Sequence, residues 1–243
     1  MIQIRGLTKI YNGVPVLNGI DLDIEKGERI AIIGPSGTGK STLLRCINFL
    51  ETPEKGEYIL DGKTIDVQKA NAAQIKEMRL RTAFIFQNYA LFANKTAREN
   101  IAEGLITVRG EAKEAAFDRS DEILRDIGMA DKADAYPASL SGGQQQRVGI
   151  GRAMASDAEL MLVDEPTSAL DPEWVDEVLQ LLTRVAQAHQ TMLIVTHEMA
   201  FAKEIADRVL FMEGGRIVEQ GPPEKIFTSP DDPRTRSFLR KVL

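Results

Sequence analysis

The residues with the most distinctive chemistry lie at positions 34–41, which read Gly-Pro-Ser-Gly-Thr-Gly-Lys-Ser. This run fits the pattern G-x-x-x-x-G-K-[ST], in which glycines allow successive backbone N–H groups to turn inward around phosphate oxygens. Lys40 would reach the terminal phosphates as a point charge, and the Ser41 hydroxyl would bind Mg²⁺. The pattern therefore predicts a nucleotide site. Its predicted contacts are Gly34, Pro35, Ser36, Gly37, Thr38, Gly39, Lys40, Ser41 and Thr42.

A second pair of reactive groups ends the apolar run 160–163, where Asp164 and Glu165 follow each other. Successive side chains of a strand point in different directions, so the two carboxylates can serve different purposes. Asp164 is predicted to hold Mg²⁺ through its water shell, and Glu165 to polarise a water for in-line attack on the γ-phosphate. A solvated acidic loop is the alternative for an isolated Asp-Glu pair, but the phosphate-binding pattern upstream favours the catalytic interpretation.

These groups need strands and helices that bring them together. Four short apolar runs do not alternate with polar residues, which is typical of strands buried on both faces of a parallel sheet covered by helices. The runs are residues 30–33, 83–86, 160–163 and 192–195. The phosphate-binding pattern follows the first run and the carboxylate pair ends the third. Such strand-end positions favour ligand binding.

Other strands are predicted from turn signals. Asn12-Gly13 and Asp61-Gly62 indicate a small antiparallel sheet near the N-terminus, and Gly214-Gly215 indicates a β-hairpin near the other end. The predicted segments of the antiparallel sheet are residues 2–10, 19–24 and 56–60, and those of the hairpin are residues 209–212 and 216–219.

A helical insertion is predicted within this framework. Residues 88–156 are rich in Ala, Glu, Lys and Arg, with helical patterning at 113–127. A further helix is expected after Asp171, which is a good N-cap followed by a proline. Its buried stripe is expected to contain Trp174, Val178, Leu181 and Val185. The chain thus reads as one α/β body, in which a core from residues 1–87 and 157–243 carries a helical subdomain from residues 88–156.

Composition excludes several classes of protein. The chain has 243 residues, of which 43% are hydrophobic and 27% charged, values typical of a soluble globular protein. Its longest apolar runs fall far short of the roughly 20 residues needed to span a bilayer. The net charge of −6 argues against a protein that coats nucleic acid, so no nucleic-acid partner is predicted. The single cysteine, Cys46, excludes an internal disulfide, and the N-terminus lacks a signal-peptide core, so a cytosolic location is expected.

The run Leu140-Ser141-Gly142-Gly143-Gln144 carries a family resemblance, because it matches the signature of ATP-binding-cassette (ABC) ATPases. Physically it is a second Ser/Gly anion cradle that opens a helix. The order of phosphate-binding loop, signature and Asp-Glu strand is that of the family, and the resemblance covers essentially the whole chain. It implies ATP hydrolysis by a P-loop NTPase core with a mostly parallel sheet flanked by helices, a small antiparallel β subdomain and a helical signature subdomain.

The resemblance implies roles for further residues. Tyr11 is similar to the aromatic residue that stacks on adenine, with Val16 nearby as an apolar contact. Gln87 resembles the glutamine that senses Mg²⁺ and the attacking water, and His197 matches the switch histidine that bonds the γ-phosphate. Asp171 lies in the loop that crosses to the partner subunit, besides its N-cap position. The implied catalytic residues are Glu165, His197, Gln87 and Lys40, and the implied metal ligands are Ser41, Gln87 and Asp164.

The resemblance also implies partners. In this family each ATP lies between the phosphate-binding loop of one subunit and the signature of the other. A head-to-tail homodimer is therefore expected, in which Ser141, Gly142, Gly143 and Gln144 approach the phosphates of the other copy. ATP and Mg²⁺ are the implied cofactors. Hydrolysis would open the dimer and drive separate membrane permease subunits from the cytoplasmic face of the cell membrane, with an extracytoplasmic substrate-binding protein as an indirect partner.

The resemblance extends to a subfamily, the bacterial importers of polar amino acids. It is carried by residues 167–173, 221–227 and 234–239. The chain departs from that subfamily at Ala93-Asn94, where Pro-His is usual. It also has Gly149 and Gly151 where alanines are usual, for which closer helix packing is one explanation. Two alternatives stay open: the ATPase of an exporter or lipoprotein-release system, and a non-transport cassette acting in DNA repair or translation.

Overall fold

The computed structural model describes residues 1–242, which form two β-sheets and a set of surrounding helices. The strands are β1 (Ile2–Tyr11), β2 (Val14–Ile24), β3 (Arg29–Ile33), β4 (Lys55–Leu60), β5 (Lys63–Asp66), β6 (Thr82–Ile85), β7 (Leu160–Asp164), β8 (Thr191–Val195), β9 (Arg208–Glu213) and β10 (Arg216–Gly221). The α-helices are α1 (Lys40–Ile47), α2 (Ala72–Arg81), α3 (Ala97–Thr107), α4 (Lys113–Asp126), α5 (Gly142–Ala155), α6 (Pro172–Gln187), α7 (Met199–Ile205), α8 (Pro223–Thr228) and α9 (Pro233–Val242).

The larger sheet has six strands in the order β10-β9-β3-β8-β7-β6. All neighbouring pairs in it are parallel except β9 with β10. The four apolar runs of the sequence are therefore confirmed as parallel strands, and the α/β prediction is confirmed. The predicted C-terminal hairpin is present as β9 and β10. Strand β9 also pairs in parallel with β3, so the hairpin extends the main sheet, which the sequence did not predict.

Both faces of the parallel strands are buried. On β3, Ile30 and Ile32 belong to an apolar cluster with α1 and the smaller sheet, whereas Ala31 and Ile33 pack with α7, α8 and α9. Successive side chains of a strand point to opposite faces, so a sheet covered on both sides needs an apolar residue at every position. This explains why the runs do not alternate. The sheet is the rigid layer that positions the residues at its carboxyl edge.

The smaller sheet is antiparallel, with the order β2-β1-β4-β5, which confirms the predicted antiparallel sheet. Strand β2 begins at Val14 rather than at residue 19, and β5 is a fourth strand that the sequence did not predict. Asn12 and Gly13 have φ values of 51° and 79°, and Asp61 and Gly62 have 49° and 80°. Two successive residues with positive φ form a turn whose twist matches that of the strands it joins. These turns set the register of β1 with β2 and of β4 with β5.

The helical region between β6 and β7 contains α3, α4 and α5, as predicted for residues 88–156. Buried side chains of these helices, such as Ile101, Leu124 and Val148, share one apolar cluster with Met161 and Val163 of β7. The region therefore packs directly on the sheet. The subdomain boundaries at residues 88 and 156 stay a prediction.

Gly151 shows why α5 departs from the usual alanines. An ideal Cβ at this position would lie 2.9 Å from Ile127 Cδ1, 3.1 Å from Ile101 Cδ1 and 3.1 Å from Ile123 Cγ2. The first distance is shorter than real Cβ contacts and the other two are tight, so a side chain here would push the isoleucines aside and the glycine allows α5 to approach them closely. Closer helix packing is thus the explanation at this position. Ala93 and Asn94 are exposed, and nothing in the structure explains them.

The helix after Asp171 is present as α6, with Pro172 in its first position. Val178, Leu181 and Val185 are buried as expected, whereas Trp174 is only half-buried. Asp171 occupies the N-cap position, but its side chain makes no capping hydrogen bond. The carboxylate of Asp171 therefore does not cap this helix.

Candidate active site

The phosphate-binding loop follows β3 and ends where α1 begins. Gly34 has a φ of 145°, and an ideal Cβ there would lie 2.1 Å from the Met212 carbonyl oxygen of β9. Gly39, with a φ of 94°, would place a Cβ 2.6 Å from the Val16 carbonyl oxygen of β2. Only glycine fits at these two positions, because neighbouring backbone occupies the space of a side chain. The loop is therefore held between the two sheets.

Two polar side chains of the loop are bonded to its own backbone. Thr38 Oγ1 donates to the Pro35 carbonyl at 2.9 Å. Lys40 Nζ donates to the carbonyls of Gly34, at 2.9 Å, and Pro35, at 2.8 Å. Lys40 is only 4% exposed, and burial lowers the pKa of its ammonium group, which Glu165 and Asp164 partly oppose. The loop thus holds a buried cation whose present partners are neutral carbonyls that an anion could replace.

Asp164 lies at the carboxyl end of β7, against the start of α1. Ser41 Oγ donates to Asp164 Oδ1 at 2.6 Å, and Arg45 Nη2 lies 3.8 Å from Asp164 Oδ2. Asp164 is 1% exposed, and burial raises the pKa of its carboxyl group, although the Ser41 hydrogen bond and the Arg45 charge oppose the shift. The predicted metal ligands Ser41 and Asp164 are therefore in direct contact.

Glu165 turns away from the strand that precedes it. Its φ is 44°, an uncommon value for a residue other than glycine. Its backbone N–H donates to the Val195 carbonyl at 2.9 Å, which fixes it beside the end of β8. Its Oε1 lies 2.8 Å from His197 Nε2, and because an ionised carboxylate only accepts hydrogen bonds, His197 donates. The structure thus brings the predicted base and the predicted switch histidine together.

The remaining predicted contacts of the core lie at its surface. Gln87 is exposed immediately beyond β6. Tyr11 is 39% exposed at the end of β1, with Lys9 Nζ 5.0 Å from its ring centroid. Val16 is half-buried on β2, and its carbonyl faces Gly39, so it adjoins the phosphate-binding loop. The other loop residues run from exposed to half-buried, namely Pro35, Ser36, Gly37 and Thr42.

The signature residues open α5. Ser141 is the N-cap: its Oγ accepts from the Gln144 N–H at 3.3 Å, and the Gln144 side chain accepts from the Ser141 N–H at 3.0 Å. This reciprocal pair is a capping box. An ideal Cβ on Gly143 would lie 2.8 Å from Trp174 Cβ, so the first turn of α5 packs tightly on α6. The signature is therefore a well-ordered helix N-terminus.

The signature and the phosphate-binding loop lie on different elements. Helix α1, which follows the loop, packs on β2, β7 and β8. Helix α5 packs on α3, α4, α6 and β6. The structure therefore joins Lys40, Ser41, Asp164, Glu165 and His197 into one cluster, whereas residues 141–144 open a helix that packs on other elements.

Tyr89 is a residue of the site region that the sequence did not single out. Its hydroxyl donates to the Ala169 carbonyl at 2.9 Å, in the loop just before Asp171. No sequence signal could have shown this contact, because it joins residues that are far apart in the chain.

Within residues 1–242, none of the helices combines the length and the apolar content required to cross a membrane.

Comparisons with known proteins agree with this geometry. The family model described as "ABC transporter" matches residues 17–168, which is more than half of the chain. The L-cystine transport system ATP-binding protein TcyN of Escherichia coli (strain K12) is 52% identical over 100% of this chain and 98% of its own length. The glutamine transport ATP-binding protein GlnQ of Bacillus subtilis (strain 168) is 45% identical over 100% of this chain and 99% of its own length.

A solved structure is similar over most of its length. It is the dimeric post-hydrolysis state of the ATP-binding cassette MJ0796, bound to ADP and Pi. Its TM-score is 0.81 at 32% identity, and the alignment covers 92% of this chain and 99% of that one. With the phosphate-binding loop, the Asp-Glu strand end and the signature all in place, these matches show that the chain is a nucleotide-binding cassette and belongs to the ABC transporter family.

Proposed function

We propose that this chain is the ATP-hydrolysing subunit of an importer, which uses paired copies of itself to drive uptake of polar amino acids through a separate permease. The observation that carries the proposal is the cluster at the carboxyl edge of the sheet. There, Ser41 contacts Asp164 at 2.6 Å and His197 contacts Glu165 at 2.8 Å, beside the buried Lys40. A buried cation, a metal-ligating pair and a base beside a phosphate-binding loop are the parts that ATP hydrolysis needs.

The phosphate-binding loop is proposed to hold the phosphates of ATP. Backbone N–H groups of residues 34–41 and the start of α1 would surround the oxygens, because a helix N-terminus favours an anion. Lys40 would exchange its carbonyl partners for phosphate oxygens, which form stronger, charge-assisted hydrogen bonds. Tyr11 and Val16 would contact the base. Val16 lies on β2, where its carbonyl faces Gly39 of the loop, and Tyr11 lies at the end of the neighbouring strand β1.

Mg²⁺ fits the oxygen ligands that the site offers. Mg²⁺ prefers one or two carboxylates together with phosphate oxygens and water. Asp164 and the Ser41 hydroxyl form such a partial set, and Gln87 is proposed as a further oxygen ligand. No group of three or more His, Cys, Asp or Glu side chains within residues 1–242 could hold a metal alone, which suits an ion that arrives with the nucleotide. When bound, the ion would neutralise charge that develops on the phosphates.

Glu165 is proposed as the general base. Its carboxylate would accept a proton from a water aligned with the γ-phosphate, and its position at the end of β7 fixes it beside the loop. His197 holds this carboxylate through the 2.8 Å hydrogen bond and would reach the γ-phosphate from the end of β8. Gln87 would orient the water from the end of the neighbouring strand β6.

A second copy is proposed to complete each site. In the first turn of α5 the capping box uses the N–H groups of Ser141 and Gln144, which leaves those of Gly142 and Gly143 to be offered to a partner. Pairing two chains head to tail would place this turn, together with Asp171, against the nucleotide of the other copy. The structure of MJ0796, which is dimeric and bound to ADP and Pi, supports the pairing of two copies.

The transport role is supported by the relatives. TcyN is named for L-cystine transport and GlnQ for glutamine transport, and a further relative, ArtM of Bacillus subtilis (strain 168), is named for arginine transport at 47% identity. These names favour the transport interpretation over the non-transport alternative, and the L-cystine import ATP-binding protein TcyC of Bacillus subtilis (strain 168), which is 50% identical, favours import over export. We place the chain at the cytoplasmic face of the membrane. The proposed helical subdomain, residues 88–156, would receive the permease, and the core, residues 1–87 and 157–243, would hold ATP.

The decisive variant is Glu165→Gln. It keeps the side-chain shape but removes the base, so we expect ATP hydrolysis to fall by roughly 10²–10⁴-fold while ATP binding is retained. The unhydrolysed nucleotide should trap a dimer, which light scattering in Mg-ATP would detect. Glu204→Gln, at an exposed position of α7, is the matched control and should behave as the wild type. A Glu165→Gln protein that stays monomeric at saturating Mg-ATP contradicts the paired-site proposal.

The substrate class needs the intact transporter. We expect the ATPase activity of the chain, reconstituted with its permease and binding protein in vesicles, to rise when a polar amino acid is added. Cystine, glutamine and arginine are the first candidates to compare, with a non-polar amino acid as the control. Equal activity with every amino acid would contradict the import proposal and leave the ATPase chemistry intact.

A further inference from the structure

The segment after β6, residues 87–92, connects the core to the helical region and is called here the connecting segment. Its Tyr89 side chain lies between two elements. The hydroxyl donates to the Ala169 carbonyl at 2.9 Å, while an ideal Cβ on Gly142 would lie 2.7 Å from the same oxygen. The hydroxyl therefore occupies the space that any side chain at position 142 would fill. Tyr89 thus touches the first turn of α5 and the loop before α6 together.

The backbone of the connecting segment is held to α5 at the same place. Arg152 donates to the Ala90 carbonyl at 2.7 Å and to the Tyr89 carbonyl at 3.3 Å. Tyr89 and Ala90 have φ values of 63° and 49°, a left-handed conformation that such residues rarely adopt. Gly149 leaves room for this arrangement, since an ideal Cβ there would lie 3.3 Å from the Tyr89 carbonyl oxygen. The strained conformation is therefore kept by specific contacts with α5.

The far end of the connecting segment is also anchored. Asn100 of α3 is fully buried, and its Oδ1 accepts from the Phe92 N–H at 2.8 Å. Its Nδ2 donates to the Lys95 carbonyl at 3.0 Å. The segment thus has fixed points on α3 and on α5, whereas its contact with the loop before α6 is the Tyr89 hydroxyl. Gln87, at the other end, is exposed just beyond β6, which pairs in parallel with β7.

We propose that Tyr89 is a positioning residue for ATP-driven pairing: its hydroxyl holds the loop 168–171 and the first turn of α5 in the one arrangement that fits the nucleotide of a second copy. This inference rests on the proposed function, in which Ser141, Gly143 and Asp171 reach the other copy. Without the hydrogen bond, the loop and the connecting segment can separate in the free chain. Fewer chains are then ready to pair, and the apparent affinity falls in proportion to that fraction.

The test is Tyr89→Phe made in the Glu165→Gln background, which removes one oxygen and keeps the ring. We measure by light scattering the ATP concentration at which half of the protein is dimeric. One neutral hydrogen bond corresponds to about a fivefold change in an equilibrium constant, and each dimer contains two such contacts. The fraction of chains ready to pair can fall by at most this factor, so the half-point should rise by up to about fivefold. Tyr136→Phe, at a tyrosine that is 51% exposed, is the matched control and should leave the half-point unchanged.

Two further measurements separate positioning from general packing. ATP binding to dilute single chains should be unchanged in Tyr89→Phe, because the phosphate-binding loop is untouched. The thermal midpoint should fall by no more than about 4 °C, because loss of one hydrogen bond in a chain of this size lowers it by about 2–4 °C. Equal half-points for Tyr89→Phe and its parent, or a loss of pairing that only follows a large drop in thermal stability, would overturn the proposal.

A double-mutant cycle tests the contact with Gly142 itself. Gly142→Ala should push the Tyr89 hydroxyl aside and weaken pairing when made alone. Combined with Tyr89→Phe it should add little, since the oxygen that the new methyl group meets is gone, so the effects should be clearly non-additive. Additive effects would mean that Gly142→Ala acts on the nucleotide alone and would overturn the role of Tyr89. Failure of Glu165→Gln to dimerise would instead refute the proposed function.

Discussion

The phosphate-binding loop and the signature are both helix N-termini that face anions in the proposed function, yet they are built differently. The loop carries a buried cation and a hydroxyl that already have partners inside the chain: Lys40 donates to loop carbonyls and Ser41 donates to Asp164. The signature has no buried charge, and its polar side chains, Ser141 and Gln144, are closed on each other in a capping box. The first region can bind ATP in one chain, whereas the second offers mainly backbone N–H groups and needs a second copy.

The difference indicates that the two regions act at different steps. The loop contributes to the affinity of a single chain for ATP, and the signature contributes when two chains pair. A buried cation and a metal-ligating pair contribute strong interactions as soon as a nucleotide arrives. A helix N-terminus held by neutral contacts contributes weaker interactions that count only when two chains meet. Binding of ATP and pairing of chains can then be separated by substitution, which the following predictions use.

The largest expected effect is that of Lys40→Ala on nucleotide binding. Loss of a charged hydrogen-bond donor should weaken ATP binding to dilute single chains by about 10–100-fold, as measured by nucleotide fluorescence titration. Ser141→Ala should leave that single-chain affinity unchanged and weaken only ATP-driven dimerisation. If both variants lost single-chain affinity equally, the division between the two regions would be wrong.

An intermediate effect is expected from Gly151→Ala, which tests how the signature helix is held. The new methyl group would meet Ile127, Ile101 and Ile123 at about 3 Å. Overpacking costs about 1–3 kcal/mol, and replacing a helical glycine by alanine returns up to about 1 kcal/mol, so a net loss on the order of 1 kcal/mol is expected in urea denaturation. Gly104→Ala on α3 is the control, because open space surrounds that position and the change should stabilise the protein by about 0.5–1 kcal/mol.

The smallest effect concerns the buried carboxylate of the first region. Because burial raises the pKa of Asp164, the folded chain takes up a proton more readily than the unfolded chain. The ionised group therefore lowers stability at neutral pH, and this penalty disappears as the pH falls through the folded pKa. Asp164→Asn should raise the thermal midpoint of the nucleotide-free protein at pH 7, on the order of 2 °C, while losing Mg-ATP hydrolysis.

The pH dependence provides the check on this explanation. The difference in thermal midpoint between Asp164→Asn and the wild type should shrink as the pH is lowered, because the wild-type carboxylate becomes neutral. Asp118→Asn, at an exposed position of α4, should show no such gain. A gain that is independent of pH would point to a cause other than the buried charge.

The sequence predicted most of the site because its chemistry is encoded locally. The run 34–41, the Asp164-Glu165 pair and the Ser141-Gly142-Gly143-Gln144 run each contain their functional groups within a few residues of an apolar strand or a helix start. The roles of Gln87, His197, Tyr11 and Val16 came from family resemblance instead. The structure places them at strand ends or beside the loop, and their functional roles stay proposals.

The sequence by itself determined the parallel strands, the turns and the two glycine-containing helix starts, because hydrophobic period and turn chemistry are local properties of the chain. Only the tertiary structure decided which distant residues meet. It formed the hydrogen bonds of Ser41 with Asp164, His197 with Glu165 and Tyr89 with Ala169. It also requires glycine at position 34, because the Met212 carbonyl occupies the space of a side chain there. These contacts depend on strand order and helix packing, and no single stretch of sequence contains that information.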